Sequence, residues 1–235
     1  MRLALIALTL VAARGPLLGQ APSAAPADLN DRGTFEIFSA GQSIGTESFV
    51  IHTRGDRIEA QGDGHLQVEQ NGKKIEVRTS SNLLLDSQLE PISYTWNQKG
   101  THSSQLSIDF RSKPAHVRYK QVNGQDDRRD FNLDKGVVVL DDNVLHHYQL
   151  ALAHYDQAKG GTQALSAFIP QEALPGVITL NAVGPESVTV DGDKRMLRHF
   201  LLTTELAQIG LWVDDQGHLQ MVSAPDAQFQ AMRKK

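Results

Sequence analysis

Tight turns recur along this chain and separate short stretches in which apolar and polar residues alternate. Asn71-Gly72, Asn123-Gly124 and Asp191-Gly192 are signals of two-residue turns, because Asn, Asp and Gly readily adopt the positive φ that such turns require. Alternation with a period of two indicates strands with one buried face. Connections this short leave no room for crossovers, so the sequence predicts a mostly antiparallel sheet of roughly ten strands.

The stretch from Asp141 to Gly161 is the exception, because its apolar residues follow a helical period. The short polar side chains at 141–143 are typical of a helix start, and Gly160-Gly161 is typical of a helix end. We therefore predict a helix over 142–159. One side of it forms an apolar stripe made of Val144, Leu145, Tyr148, Ala151, Leu152 and Tyr155.

A sheet of this many strands cannot lie flat without curling. A curled sheet has a concave apolar face, and the apolar stripe of the helix needs such a surface to cover it. Burial there would contribute about 1.5–3 kcal/mol for each large apolar side chain. The predicted fold is mainly β: a curled antiparallel sheet, either a half-barrel or an incomplete barrel, that encloses one α-helix.

The first residues carry the pattern of an export signal. Met1-Arg2 supplies a positive charge, 3–13 is an apolar run, and Gly19-Gln20-Ala21 places small residues where a signal peptidase cleaves. The run is shorter than the roughly 20 residues that span a bilayer. We predict a cleaved signal peptide at 1–21 and a periplasmic or secreted protein with no stable membrane insertion afterwards. An uncleaved N-terminal anchor is the alternative.

Composition divides the remaining chain into three segments. Residues 22–33 are small, polar and Pro-bearing, which is typical of a flexible linker. The strand pattern runs from 34 to 223 and predicts a single β-rich domain that contains the helix. Basic residues end the chain, and we expect 224–235 to form a frayed tail.

Charge and cysteine content exclude several classes of function. A formal net charge of −4 and a pI near 6.1 do not favour nucleic acid as a partner. The chain has no cysteine, which excludes disulfides, thiolate metal sites, a cysteine nucleophile and a lipid-modified cysteine. The absence of disulfides is compatible with the periplasm, which permits them without requiring them.

Four stretches resemble a broad group of bacterial exported proteins known as a domain of unknown function. They are Phe35 to Ile51, Leu84 to Tyr94, Leu140 to Tyr155 and Leu211 to Pro225. The group is similar in fold to periplasmic lipoprotein carriers, in which a curved sheet and a helix enclose an apolar cavity. The resemblance implies this fold and lipophilic ligands. It transfers no catalytic residue, because a fold does not define a function.

Gly41-Gln42-Ser43-Ile44-Gly45 matches the spacing of the G-x-S-x-G nucleophile elbow. That elbow works on a strand-to-helix turn of a parallel α/β sheet. Here the glycines lie between two alternating stretches near the start of the domain, so a hairpin explains them. We assign no catalytic residue.

The histidines of the predicted helix lack the i, i+4 spacing with which a helix binds zinc. His147 and His154 flank the apolar stripe, and His146 falls on the opposite face. We interpret His147 and His154 as rim residues; a metal site completed by distant strand residues is the alternative. No metal ligand and no cofactor are predicted, and the sequence contains neither a P-loop nor a dinucleotide fingerprint.

Acidic pairs recur at Asp126-Asp127, Asp141-Asp142 and Asp214-Asp215. Two carboxylates at neighbouring positions are not the separated acid and base of a glycosidase. We interpret these pairs as turn residues and as a helix cap. Asp191-Gly192-Asp193 lacks the remaining ligands of a calcium loop.

Large aromatic side chains fall on shared faces of the predicted elements. The simplest interpretation is packed core, and the alternative is that they line a cavity for an apolar ligand. The candidate ligand-binding residues are Tyr94, Trp96, Tyr148, Leu152, Tyr155, Phe200 and Trp212. The volume of the interior distinguishes the two interpretations.

The sequence alone does not establish a function, and three hypotheses stay open. The first is a non-enzymatic exported protein that binds a lipophilic molecule, or an acylated partner, inside the half-barrel. The second is a module whose exposed edge strands pair with an envelope protein. The third is an unrecognised hydrolase, which a buried carboxylate or histidine with a shifted pKa in a cleft would support.

Overall fold

The structure, a computed structural model, describes residues 29–70, 72–100, 103–121, 126–205 and 207–235. These residues form one 15-stranded sheet and one α-helix. The fold is mainly β, as predicted, but it has more strands than the roughly ten expected. The predicted signal peptide at 1–21, most of the predicted linker and the turn at 123–124 lie outside the described residues.

The first part of the sheet is a meander in which each strand pairs with the next one along the chain. Its strands are β1 (Asp31–Ser39), β2 (Gln42–Arg54), β3 (Arg57–Gln70), β4 (Lys73–Asp86), β5 (Pro91–Lys99), β6 (Ser104–Asp109), β7 (Ala115–Gln121) and β8 (Asp126–Phe131). All these pairs are antiparallel.

The second part of the sheet contains the helix. Its elements are β9 (Val138–Val139), α1 (His146–Ala153), β10 (Thr162–Ile169), β11 (Leu174–Val190), β12 (Asp193–Thr203), β13 (Gln208–Val213), β14 (Leu219–Ala224), a short 3-10 helix (Pro225–Ala227) and β15 (Phe229–Arg233). The short strand β9 pairs parallel with β10, and the other pairs are antiparallel.

The two meanders are joined through β1 and β15, so the order across the sheet runs from β8 to β1, then from β15 to β9. The sheet is therefore open, with β8 at one edge and β9 at the other. The tail expected at 224–235 instead contains β15, because Phe229 and Ala231 point into the core and are buried. The linker expected at 22–33 likewise overlaps the start of β1.

A bidentate ion pair fixes the junction of β1 and β15. The guanidinium of Arg233 donates to both carboxylate oxygens of Asp31, over 2.6 and 2.8 Å. It also donates to the backbone carbonyl of Arg32. Arg233 lies over the ring of Phe49 as well, with 5.4 Å between its central carbon and the ring centroid. The first and last strands include residues that the sequence predicts to be linker and tail. They are held together in the middle of the sheet.

The helix is shorter than the 142–159 predicted, and every residue from His146 to Leu152 is buried. Asn143 has a φ of 60°, which is incompatible with a helix and makes the preceding residues a turn. The apolar stripe is buried as expected, but so are the polar residues between its members. The helix is therefore covered on all sides instead of presenting one face to water.

Side chains bridge the gap between the two edges of the sheet. The rings of Phe131 in β8 and Phe168 in β10 are 4.9 Å apart. The hydroxyl of Tyr119 in β7 donates to the carbonyl of Pro170, just after β10, over 2.9 Å. We call this junction the seam. It is held by side chains, whereas the rest of the sheet is held by backbone hydrogen bonds.

The closest approach of helix and sheet yields a test of this packing. A Cβ added at Gly62 in β3 would lie 2.5 Å from Cε1 of His146 and 3.2 Å from Oγ of Ser81. We expect Gly62→Ala to cost about 1–3 kcal/mol of unfolding free energy, because the imidazole has no room to move. In a His146→Ala background the same change should cost far less, as urea denaturation of the four variants would measure. An equal loss of unfolding free energy in both backgrounds would contradict the close packing of His146 against Gly62.

Candidate functional site

Polar and titratable side chains gather where the helix meets the sheet. We call Glu47, Tyr94, Asp141, His146 and His147 the interior polar cluster; each of them is buried. They come from β2, from β5, from the turn before the helix and from its first turn. Burial of so many polar groups is costly unless they pair, so their partners decide what the cluster can do.

Glu47 caps the helix from across the fold. Its Oε2 accepts a hydrogen bond from the backbone N–H of Leu145 over 2.7 Å, and its Oε1 accepts from the N–H of His146 over 3.1 Å. Oε1 also lies 2.7 Å from Nδ1 of His146. A carboxylate at this position interacts favourably with the positive end of the helix dipole. The cap predicted at 141–143 is thus supplied by a residue 98 positions upstream of Leu145.

Asp141 belongs to this cluster instead of capping the helix. Its Oδ2 accepts from the hydroxyl of Tyr94 over 2.6 Å, and its Oδ1 accepts from the backbone N–H of Gln171 over 2.9 Å. Burial raises the pKa of Asp141 to about 6, although these hydrogen bonds oppose the rise. Burial, followed by the neighbouring charge of Asp141, raises the pKa of Tyr94 well above its usual value.

The two neighbouring histidines are interior residues. His146 was expected on the exposed face and His147 at the rim, and both are almost fully buried because strands surround the helix. Nδ1 of His147 accepts from the N–H of Asp141 over 3.3 Å, and burial keeps its pKa well below the usual range. His147 is therefore neutral, with its proton on Nε2. Within the described residues, the Nε2 atoms of His146 and His147 both lack a hydrogen-bond partner.

Asp142 and Glu172 form a carboxyl pair at the outer end of the cluster. Burial, and then the charges of Asp141 and Glu172, raise the pKa of Asp142 to about 8. The carbonyl of Asp142 accepts from the side-chain amide of Gln171 over 2.9 Å. The interaction of these two carboxyl groups thus links the turn before the helix to the turn between β10 and β11.

The cluster is better suited to holding the helix than to chemistry. The carboxylate of Glu47 is occupied by the helix backbone, and that of Asp141 is occupied by Tyr94 and Gln171. Over the described ranges, no three His, Asp or Glu side chains are placed to hold one metal ion. The Gly41 to Gly45 motif forms the β1–β2 hairpin, as expected, and Ser43 donates to Glu36 over 2.7 Å.

The other two acidic pairs were both predicted to lie in turns, and the structure confirms this for one of them. Asp214 accepts from the backbone N–H groups of Gln216 and His218, so the turn predicted there is confirmed. Asp126 and Asp127 lie within β8 and not in a turn. Charged residues on an edge strand hinder pairing with other chains, which explains acidic residues at that position.

Six of the seven candidate ligand-binding residues lie in one buried core, and Trp212 lies apart from them. Tyr155 donates from its hydroxyl to the carbonyl of Gly161 and packs edge-on against Phe200, with 5.3 Å between ring centroids. Trp212 lies on the opposite face of the sheet, where it stacks on His199 and donates to Glu186. The remaining candidates belong to the main buried core: Tyr94, Trp96, Tyr148 and Leu152.

A cleft of about 310 Å³ opens beside the seam, and none of the candidate residues lines it. We call it the seam cleft. Its lining comes from the ends of β5 to β8 and from the connection between β8 and β9. The lining residues are Glu90, Pro91, Phe110, Ser112, Lys113, Pro114, Ala115, Phe131, Asn132, Leu133, Asp134, Lys135 and Val137. No pattern in the sequence indicates this cleft, because its residues lie in separate stretches that meet only when the sheet curls.

The buried residues that line the seam cleft are Pro91, Ala115 and Val137, so its floor is apolar. The charged residues of the lining differ in whether they already have a partner. Glu90 accepts from the N–H of Gly136 over 2.7 Å, and Asp134 accepts from the hydroxyl of Ser166 over 2.6 Å. Lys113 and Lys135 are exposed, and neither makes an ion pair with a residue that the structure describes. A wider depression of about 590 Å³ lies elsewhere, between β1, β14 and β15, and has no charged residue in its lining.

This architecture is that of an open, β-barrel-like fold. It is similar to a β-barrel-like protein of the domain of unknown function DUF1849 from Brucella abortus, with a TM-score of 0.56 and 10% identity, covering 91% of this chain and 97% of that chain. A DUF1089 family protein from Pseudomonas aeruginosa gives a TM-score of 0.46 and 12% identity over 74% of this chain and 86% of that chain. No protein-family model and no curated protein matches the sequence.

The first of these similarities shows a fold shared with a protein of unknown function, which is the coarse part of the resemblance seen in the sequence. It shows neither export nor lipid transport. Within the described residues, the single helix is too short to cross a membrane.

Removing the long-range cap should destabilise the protein strongly. We expect Glu47→Ala to cost about 3–5 kcal/mol of unfolding free energy, because it leaves the helix N–H groups and His146 buried without their partner. Glu69→Ala, at an exposed position in β3, is the matched control and should change stability by less than about 0.5 kcal/mol. Urea denaturation measures both, and similar costs would contradict the capping role.

The carboxyl pair at Asp142 should make stability fall as pH rises. The pKa of Asp142 is about 8 in the folded chain against a usual 3.8. The folded state therefore binds a proton that the unfolded state has released, and the stabilisation is lost as pH rises towards about 8. We expect the urea midpoint to fall between about pH 6.5 and pH 8 and to level off above that, a range in which His147 stays neutral.

Asp142→Asn should flatten this dependence and make the chain more stable than wild type above about pH 8, since the amide cannot ionise. Asp215→Asn, in the exposed turn after β13, should retain the wild-type slope. A wild-type midpoint that stays level over this range would refute the raised pKa of Asp142.

Proposed function

We propose that this protein is an exported, non-enzymatic binding protein that holds a small lipophilic molecule in the seam cleft. The observation that carries the proposal is the cleft itself, whose volume of about 310 Å³ suits a small molecule. Its floor is built from apolar side chains, which favour an apolar ligand because burial removes both surfaces from water. Export rests on the signal-like sequence at 1–21.

The position of the cleft at the seam supports a role in binding. The seam joins the two edges of the sheet through the Phe131–Phe168 and Tyr119–Pro170 contacts. A ligand can widen the cleft by shifting these side chains, without breaking backbone hydrogen bonds between strands. Elsewhere in the sheet such a movement would cost several of those bonds.

The proposed binding site lies outside the interior of the curled sheet, where the sequence predicts a ligand cavity. Residues expected to line a cavity there, such as Tyr148 and Leu152, pack into a continuous core around the helix. A lipophilic ligand in that position would have to displace the helix. The seam cleft requires no such displacement.

Pairing of an edge strand with an envelope protein has less support. The exposed edge is β8, in which every residue from Asp126 to Asp130 is exposed and charged. Charges of this density oppose strand addition. The opposite edge, β9, consists of two buried residues. A hydrolase has less support still, because the buried carboxylates are occupied by the helix and its neighbours.

A substitution that fills the cleft tests the proposal. Ser112 lines the cleft and is half-buried, so we expect Ser112→Trp to weaken binding of octanol at least about tenfold by occupying its volume. Ser107→Trp, at an exposed position in β6 outside the cleft, is the matched control. Calorimetric titration measures affinity, and circular dichroism checks that both variants are folded.

Native mass spectrometry of the full chain purified from its host provides an independent readout. We expect a lipophilic molecule bound to the wild-type protein, and less of that molecule bound to the Ser112→Trp variant. If wild type binds neither octanol nor a co-purified lipid, or if both Trp variants bind equally well, the proposal is refuted.

A further inference from the structure

We infer that the ligand of the seam cleft is an amphiphile with a carboxylate head, which Lys113 and Lys135 bind at the rim. This inference rests on the proposed function and specifies its ligand class. It follows from the unequal engagement of the charges that line the cleft. The apolar floor would bind the hydrocarbon tail, and the exposed lysines would bind the head.

The two carboxylates of the lining already have fixed partners within the protein. Glu90 is half-buried, and its Oε2 accepts from the N–H of Gly136 over 2.7 Å. Asp134 accepts over 2.6 Å from Ser166, which lies in β10 on the other side of the seam. Both therefore help to build the wall of the cleft, and using either to bind a cationic head would compete with these bonds.

The two lysines have no such role. Lys113 and Lys135 are exposed, and no described carboxylate lies within ion-pairing distance of either ammonium group. Nearby surface charges are already matched. Asp109 pairs with Arg111 over 2.8 Å, and His116 pairs with Asp130 over 2.7 Å. The ammonium groups of Lys113 and Lys135 are thus available to form ion pairs with an anion that enters the cleft.

Their position also suits the physical needs of an anionic amphiphile. A carboxylate buried in the apolar floor would lose its hydration at great cost, whereas at the exposed rim it keeps contact with water. Long, flexible lysine side chains can follow the head while their methylene groups cover the tail. Each exposed ion pair would add modestly to affinity, so selectivity should depend on both lysines acting together.

Three octyl compounds with different heads test the inference: octanoate, octanol and octylammonium. They are titrated calorimetrically into the full-length protein at low ionic strength. We expect octanoate to bind about fivefold to twentyfold more tightly than octanol, because two exposed ion pairs each give up to about fivefold. Octylammonium should bind more weakly than octanol. Added salt should reduce the preference for octanoate, because ions screen exposed charges.

The double variant Lys113→Gln, Lys135→Gln should lose this preference and bind octanoate and octanol about equally. The matched control is Lys99→Gln, Lys159→Gln, which removes the same charge at exposed positions outside the cleft and should retain the preference.

Equal binding of octanoate and octanol by wild type would overturn the carboxylate assignment and leave the proposed function standing. Tighter binding of octylammonium would do the same. An octanoate preference that survives the Lys113→Gln, Lys135→Gln substitution would overturn the role of these lysines. Binding of none of the compounds, with no lipid co-purified, would refute the proposed function itself.

Discussion

The structure depends on how one buried carboxylate is satisfied. Glu47 projects from β2 into a water-excluded interior, where an unpaired charge would be strongly destabilising. Its two oxygens are engaged by the first N–H groups of the helix and by the ring of His146. The same contacts satisfy helix N–H groups that would otherwise be buried without partners. Sheet and helix therefore stabilise each other, and neither is complete alone.

This mutual dependence explains why the interior is packed and the available space lies at the periphery. A helix that is buried on every side fills the hollow that a curled sheet would otherwise leave. In the part of the chain that the structure describes, the sheet edges do not pair through their backbones at the seam, and the wall there leaves a cleft with apolar and charged groups side by side. The proposed binding site thus lies where the sheet does not close.

The local features of this fold were predictable from the sequence, and the long-range ones were not. Alternation and turn residues such as Asp191-Gly192 mark antiparallel strands, because these signals act between near neighbours. The apolar stripe of the helix likewise showed that the segment would be covered. No local signal, however, indicates that Glu47 caps a helix that begins 98 positions further along the chain. The local pattern therefore predicts Asp141 and Asp142 as the cap.

The same limit applies to the candidate site. Aromatic residues such as Tyr148 and Phe200 were recognisable as buried, but hydrophobic pattern alone does not distinguish a packed core from a cavity wall. Trp212 is aromatic like these residues, but it lies on the other face of the sheet, beside His199. The seam cleft escaped prediction because Lys113 and Lys135 become neighbours of one cleft only through the curvature of the whole sheet.

The pairing of β1 with β15 has a consequence for the order of assembly. The ion pair between Asp31 and Arg233 spans 202 positions of the chain, yet it lies at the centre of the sheet. Closing a loop of this length costs conformational entropy, so we expect this pairing to form later than the local hairpins of the two meanders. The pairing of β1 with β15 must therefore wait until the last strand has been synthesised. Until then the β1 edge stays unpaired, and an unpaired strand edge is open to pairing with other chains.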